Sequence, residues 1–347
     1  MVLLITLLVQ GCGYYYQAAK GHMDLMSDRR SIDSVLEDPA ADDSLKTRLT
    51  MVLEARSFAS DSIGLPANDS YTTYVDLDRQ YVVWNVFAAP EFSVQPKRWC
   101  FPVAGCVVYR GYFREEKARA YADGLVDKGW DVHVAGVAAY STLGRFDDPV
   151  LSSMMHWDDT QLVALLFHEL AHQQLYVKDD SSFNESFATA VEQEGMHLWL
   201  AARDDISGIA EYRKNRERAS AFSLLVGETR GHLVQLYDSD LPATDMRLAK
   251  QQQFELLRSA YQAQKAAWGG YSGYDRWFDD GLNNARLVPV TTYRRFVPAF
   301  RALFRDSGSN FEEFYRRCED LTKMPIEKRH EQLDALMLIS PVDNAAQ

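Results

Sequence analysis

The chain has 347 residues, 47% hydrophobic and 12% aromatic, enough apolar side chain for one large core or two cooperating lobes and too much for a disordered or fibrous protein. Lys and Arg number 37 against 49 Asp and Glu, a formal net charge of −12. No basic cluster interrupts that balance, so nucleic acid is not an expected partner.

Residues 1–9, MVLLITLLV, are the only strongly apolar run, and a bilayer-spanning helix needs roughly 20 such residues. The run suits the core of a secretory signal. Gln10, Gly11 and Cys12 follow in the manner of a bacterial lipobox, where cleavage leaves a lipidated cysteine at the mature N-terminus. No Lys or Arg precedes the run, and a frayed apolar terminus with an incidental cysteine is the alternative. On the lipobox reading residues 1–11 are a signal peptide and Cys12 is the lipidation site. Gly13 after the cysteine then directs the protein to the outer membrane, facing the periplasm of a bacterial cell envelope.

Residues 14–36 carry a helical pattern, broken by Asp38, Pro39 and the acidic stretch to Asp43. Residues 12–44 are thus a lipid-anchored helix and linker, and Leu45 to Phe58 starts a second helix. Between Tyr71 and Phe113, YVVWNVFAAP and CVVYRGYF are β-branched and aromatic, which is strand texture. Arg114 to Lys128 returns to helical periodicity and Gly129 ends it. WDVHVAGVAAYSTLG, residues 130–144, then alternates as a strand does. From Asp158 onward the pattern is helical, including Ala219 to Tyr237 and Met246 to Trp268, joined by the turn-like DSDLPATD. The expected fold is α+β, with a small mixed β-sheet lobe over 45–150 and a mainly helical lobe over 151–340 forming one catalytic unit. Of the remaining cysteines, Cys100 and Cys106 are near enough to close a small loop in an oxidising periplasm, and Cys318 stays a thiol. None has the spacing of a thiolate zinc site.

FHELAHQ, residues 167–173, lies on a helix that Asp158 caps, with Leu162, Val163, Leu165, Leu166, Phe167 and Leu170 apolar nearly all round. Such a helix runs through the core. His168, Glu169 and His172 sit on it at about 0°, 100° and 40°, so all three project from one side. Three buried polar groups are costly unless something satisfies them, and a divalent cation with its water does so most simply. Two histidines at i and i+4 can ligate one Zn²⁺, one per chain, while Glu169 is offset toward the water that the metal activates.

An open zinc site takes three protein ligands. Glu185, with twelve residues between it and His172, is the leading third ligand if the chain reverses after the histidine helix. Ser182 and Glu185 also have capping-box spacing, in which the glutamate serves only the backbone. Asp179 and Asp180 read as solvated turn residues, and Glu192 as a supporting acceptor. His133, His156, His197 and His232 lack paired spacing and read as structural.

NESFA, residues 184–188, resembles the NExxA element that supplies the third zinc ligand in gluzincin peptidases. Over most of its length the chain resembles bacterial lipoproteins predicted to be zinc aminopeptidases, through WNVFAAPEFS, CVVYRGYF, AYSTLGRFDDPVLSSM, FHELAHQ, FNESFATAVE and NNARLVPVTTY. That resemblance implies a zincin-like active-site helix, His168, His172 and Glu185 as ligands, Glu169 as general base and a peptide as substrate. Tyr293 is a candidate donor to the oxyanion, or else a core aromatic, and Asn283 and Asn284 are further candidates. Tyr140 and Ser141, on the strand ending in AAYSTLG, and Asn184 are candidate substrate-binding residues. The GxMEN element that holds the substrate ammonium in the large zinc aminopeptidases is missing, and Glu192, Glu194, Glu228, Asp147 and Asp148 are possible replacements. An endopeptidase, or a lipoprotein scaffold with a structural zinc, is the alternative.

Overall fold

A computed structural model describes residues 2–101, 105–139, 141–142, 144–279, 281–291 and 295–339, with side chains over 13–290 and 295–337 within those ranges. The architecture is α+β, with short sheets in the N-terminal half and helices in the C-terminal half. Packing divides the chain into two units, each discontinuous in sequence. The first comprises residues 1–83, 136–209 and 293–347, the second 84–135 and 210–292. The sequence reading expects instead a boundary at 150/151. Interleaving arises because the strands between 83 and 137 share a unit with the helices after 210, not with the histidine helix.

In the first unit the helix Val2–Ser27 leads to the short helix Ile32–Leu36, capped by Ser31, and to Asp43–Asp61, capped by Asp42. A three-stranded sheet pairs Arg30–Ser31 antiparallel with Thr73–Val75, which pairs in parallel with Val150–Leu151. The helices Asp159–Gln174 and Ser181–Ala202 run through the core of this unit. Phe58, Phe167 and Trp199 meet edge-on and stacked between the helix Asp43–Asp61 and that pair. Phe183 and Phe187 pack on Phe300 and, for Phe187, on Phe314. Each such buried ring contributes about 1.5–3 kcal/mol through burial alone, so the two central helices are fixed from both sides.

In the second unit Val83–Pro90 is the middle strand between Arg110–Tyr112 and Trp130–Val137. A separate hairpin joins Trp99–Phe101 to Gly105–Val107, with Cys100 opposite Cys106 and the two disulfide-bonded. The helices Ile206–Tyr237 and Ala243–Ala267 begin before their expected starts at Ala219 and Met246, and they meet around Phe222, Leu233, Phe254 and Tyr261. Asn284 is fully buried here: its amide donates to the carbonyls of Pro90 and Glu91 and accepts from the Tyr237 hydroxyl. Its polar atoms are therefore committed to the frame.

The strand expected to reach AAYSTLG stops at Val137. Ser141 lies beyond it in a loop, where its hydroxyl donates to Asp148 Oδ2 at 3.4 Å and Thr142 N donates to the same oxygen at 2.8 Å. A carboxylate that draws the chain inward ends the strand, so Ser141 is not on an edge that could pair with a peptide. Tyr140 lies outside the described residues. Among the described residues no helix is long and apolar enough to cross a membrane.

Candidate metal centre

Asp158 Oδ1 accepts from Gln161 N at 2.8 Å and starts the histidine helix, as its sequence predicts. The helix ends at Gln174, and only six residues separate it from the next helix, which begins at Ser181. The connection is held from inside. The Asn184 side chain accepts from Val177 N and donates to Val177 O, both at 2.7 Å, while Asp179 takes a left-handed φ of 66° to complete the reversal. Asn184, expected at the substrate, is 1% exposed and fully occupied by this clamp. Its role is to turn the chain.

Asp180, expected to be solvated, is buried and caps the second helix through Phe183 N. Arg329 donates to its Oδ2, and His330 Nε2 lies 3.0 Å from its Oδ1. This overturns the capping-box reading of Ser182 and Glu185: with Asp180 as cap, Glu185 falls beyond the third helical position. Its carboxylate turns to the histidines instead.

The contacts between the two helices run in opposite directions along them. His172 and His168 face Glu185, His168 also faces Glu192, and Phe167 lies beside Gly195. The pair is therefore antiparallel. A Cβ at Gly195 would meet Ile63 Cδ1 at 2.7 Å and Phe167 Cδ2 at 3.2 Å, so glycine is what lets the helices approach this closely.

His168 Nε2 lies 3.4 Å from Glu185 Oε2 and His172 Nε2 lies 3.6 Å from Glu185 Oε1. One ligand atom from each of the three falls within 4.8 Å of the others, the arrangement that a metal ion needs. His168 Nδ1 points to Glu192 Oε2 at 3.3 Å, which fixes the ring and leaves Nε2 toward Glu185. His172 Nδ1 is buried and has no hydrogen-bond partner. In the metal-free protein burial opposes charge on His168. Its hydrogen bonds with Glu185 and Glu192, and the charges of Glu185 and Glu169, outweigh that and push its pKa up to about 10. Burial likewise opposes charge on Glu185, but hydrogen bonds with His168 and His172 hold its carboxyl well below the usual range. The cluster could hold a cation: two imidazoles and a carboxylate make a donor set that suits a borderline-soft divalent ion such as Zn²⁺, with a carboxylate behind one ring.

Residues 13–333 match the family described as "Putative aminopeptidase". The chain belongs to that family. No curated protein and no solved structure matches it. The family description points to peptide hydrolysis, and the whole histidine–glutamate cluster falls inside the matched span.

Around the ligands of this aminopeptidase-family chain, the charge of Glu169 is felt by His168, Tyr71 and Asp148. Asp148 is fully buried with Oδ1 unpartnered, and burial, with a smaller push from Glu169, raises its pKa to about 6 against the hydrogen bonds from Thr142 and Ser141. Tyr71 adopts a left-handed φ of 63°, a strained conformation for an aromatic residue, and donates its N–H to Asp148 O. Gln173 ties this segment to the histidine helix: its Oε1 accepts from Asn68 at 2.7 Å and its Nε2 donates to Ser70 Oγ at 3.2 Å. Glu194 pairs with Arg301 at 2.8 Å, which commits it elsewhere. Tyr293 lies outside the described residues, as does the side chain of Cys12.

Asp180 reads from sequence as a solvated turn residue, and Tyr176 is not singled out there at all. Nothing local marks Asp180 as buried, because its partners Arg329 and His330 are 149 and 150 residues away. Tyr176 did carry a signal: it stands at i+8 from His168 and i+4 from His172. Its ring packs edge-on to His172 with centroids 6.5 Å apart.

Proposed function

We propose that the protein is a zinc-dependent aminopeptidase of the bacterial cell envelope, anchored to the outer membrane through lipidated Cys12 and facing the periplasm. The observation that carries the metal reading is the convergence of His168, His172 and Glu185 within 4.8 Å on two antiparallel helices, with Glu169 adjacent in sequence to the first ligand. A bound zinc would supply a Lewis acid that lowers the pKa of water and polarises a scissile carbonyl. Glu169 accepts the proton of the attacking water as its oxygen bonds to the carbonyl carbon. It returns that proton to the amine nitrogen as the C–N bond breaks. Glu192 holds His168 in the tautomer that leaves Nε2 for the ion.

Support for the aminopeptidase class comes from family membership. Support for the periplasm comes from the lipobox-like QGC at residues 10–12 and from the Cys100–Cys106 disulfide, a bond that persists in oxidising compartments. The deciding experiment uses Cys12→Ser protein, measures zinc stoichiometry and compares Glu169→Gln with the parent on a peptide library. One zinc per chain in both, with cleavage reduced about 10²–10⁴-fold in Glu169→Gln, is the expected result. Zinc without cleavage by the parent identifies a scaffold, and product sequencing separates removal of N-terminal residues from internal cleavage.

A further inference from the structure

Addition of water to a peptide carbonyl places negative charge on the carbonyl oxygen, and a fixed donor aimed at that oxygen is worth about 10²–10³ in kcat. Such a donor must carry a proton at neutral pH, lie against the ligand cluster and be reachable by substrate. Tyr71, whose pKa is pushed well up by burial and then by the charge of Glu169, keeps its proton but is 2% exposed, sealed from any peptide.

Tyr176 meets all three. The histidine helix ends at Gln174 and Leu175 turns to extended backbone, φ −150° and ψ 125°, so Tyr176 lies just past the helix end, four residues after His172. Its ring touches that of His172, yet the residue is 40% exposed, while the His172 side chain itself is 7% exposed. Tyr176 therefore borders the candidate ligands on a side that solvent reaches. Among the described residues its hydroxyl has no hydrogen-bond partner, in contrast to the committed hydroxyls of Tyr237, Tyr261 and Tyr315.

We propose that the Tyr176 hydroxyl donates the hydrogen bond that stabilises the oxyanion formed at the scissile carbonyl. This rests on the peptidase reading of the same site. No proton is transferred by Tyr176: the phenol keeps its proton throughout, and Glu169 alone shuttles the proton from water to the leaving amine. The expectation from sequence placed this donor at Tyr293, so the two tyrosines are tested side by side.

The test compares the full-length, zinc-loaded wild type with Tyr176→Phe and Tyr293→Phe, first on a peptide that the wild type cleaves, then by calorimetric binding of a phosphinic peptide whose tetrahedral anionic group imitates the reacting centre. Tyr176→Phe is expected to lower kcat about 10²-fold and to weaken the phosphinic peptide by a similar factor, with KM, zinc stoichiometry and circular dichroism unchanged. Retention of kcat and phosphinic affinity to within about twofold in Tyr176→Phe, or a loss confined to Tyr293→Phe, overturns the assignment. Chelator-sensitive cleavage that Tyr176→Phe leaves intact removes only the donor. A wild type that cleaves no peptide removes the peptidase reading and the donor with it.

Discussion

Two buried polar assemblies stand at opposite functional extremes of the same helix. At its start, Asp180 is gripped by Arg329 and His330 and by Phe183 N, and the Arg329 guanidinium spends its other donors on the carbonyls of Leu321 and Met324. One turn on, Glu185 faces His168 and His172 at 3.4 and 3.6 Å, and His172 Nδ1 has no partner. Charge-assisted hydrogen bonds normally close to about 2.7–2.9 Å. The first assembly is saturated and at closing distance, whereas the second is spaced for something to enter. Saturation marks a structural node, and spacing marks a site.

Breaking each assembly should therefore give opposite signatures. Asp180→Ala leaves the Arg329 charge buried without its carboxylate, and we expect a loss of about 3–5 kcal/mol in urea unfolding. Zinc stoichiometry of the folded fraction should stay at one; a lost metal with unchanged stability would reverse the two roles. Glu192→Gln keeps the shape behind His168 but weakens the acceptor at Nδ1, and zinc affinity should fall about 10–100-fold in chelator competition. An unchanged affinity there would mean that Glu192 does not orient the ring.

The smallest effect is on pH dependence, measured on metal-free protein. His168 has a folded pKa raised from its ordinary value of 6.5 to about 10, so its contribution is complete below 6.5 and is lost as pH rises toward 10. Glu185 has a depressed folded pKa, so its contribution is present above the ordinary carboxyl value of 4.5 and fades as pH falls below it. Thermal scans should show the metal-free protein losing stability between pH 6.5 and 10. Because zinc replaces the proton that these groups share, the loaded protein should lack that decline, and zinc uptake should release protons.

The histidine helix was legible in the sequence because its signals are local: an Asp cap, an apolar surface all round and two histidines one turn apart. Glu185 was ambiguous on the same local grounds, since capping-box spacing also fits it, and Asp180 as the observed cap removes that alternative. The partners of Asn184 and Ser141, Val177 and Asp148, were not legible because they reach them through turns that residue spacing does not encode. The fold class was readable from strand and helix texture. The interleaving of the two units was not, because it depends on which helices the strands between 83 and 137 choose to bury.

The amide clamp of Asn184 on Val177 has a consequence for how an ion comes and goes. A six-residue connection stapled by its own side chain keeps both ligand helices in register by forces that owe nothing to a metal. An ion bound there would thus meet a chain already organised, unlike small domains that collapse only around their zinc. Stripping and reloading, or exchange for cobalt as a spectroscopic reporter, would then leave the backbone a spectator.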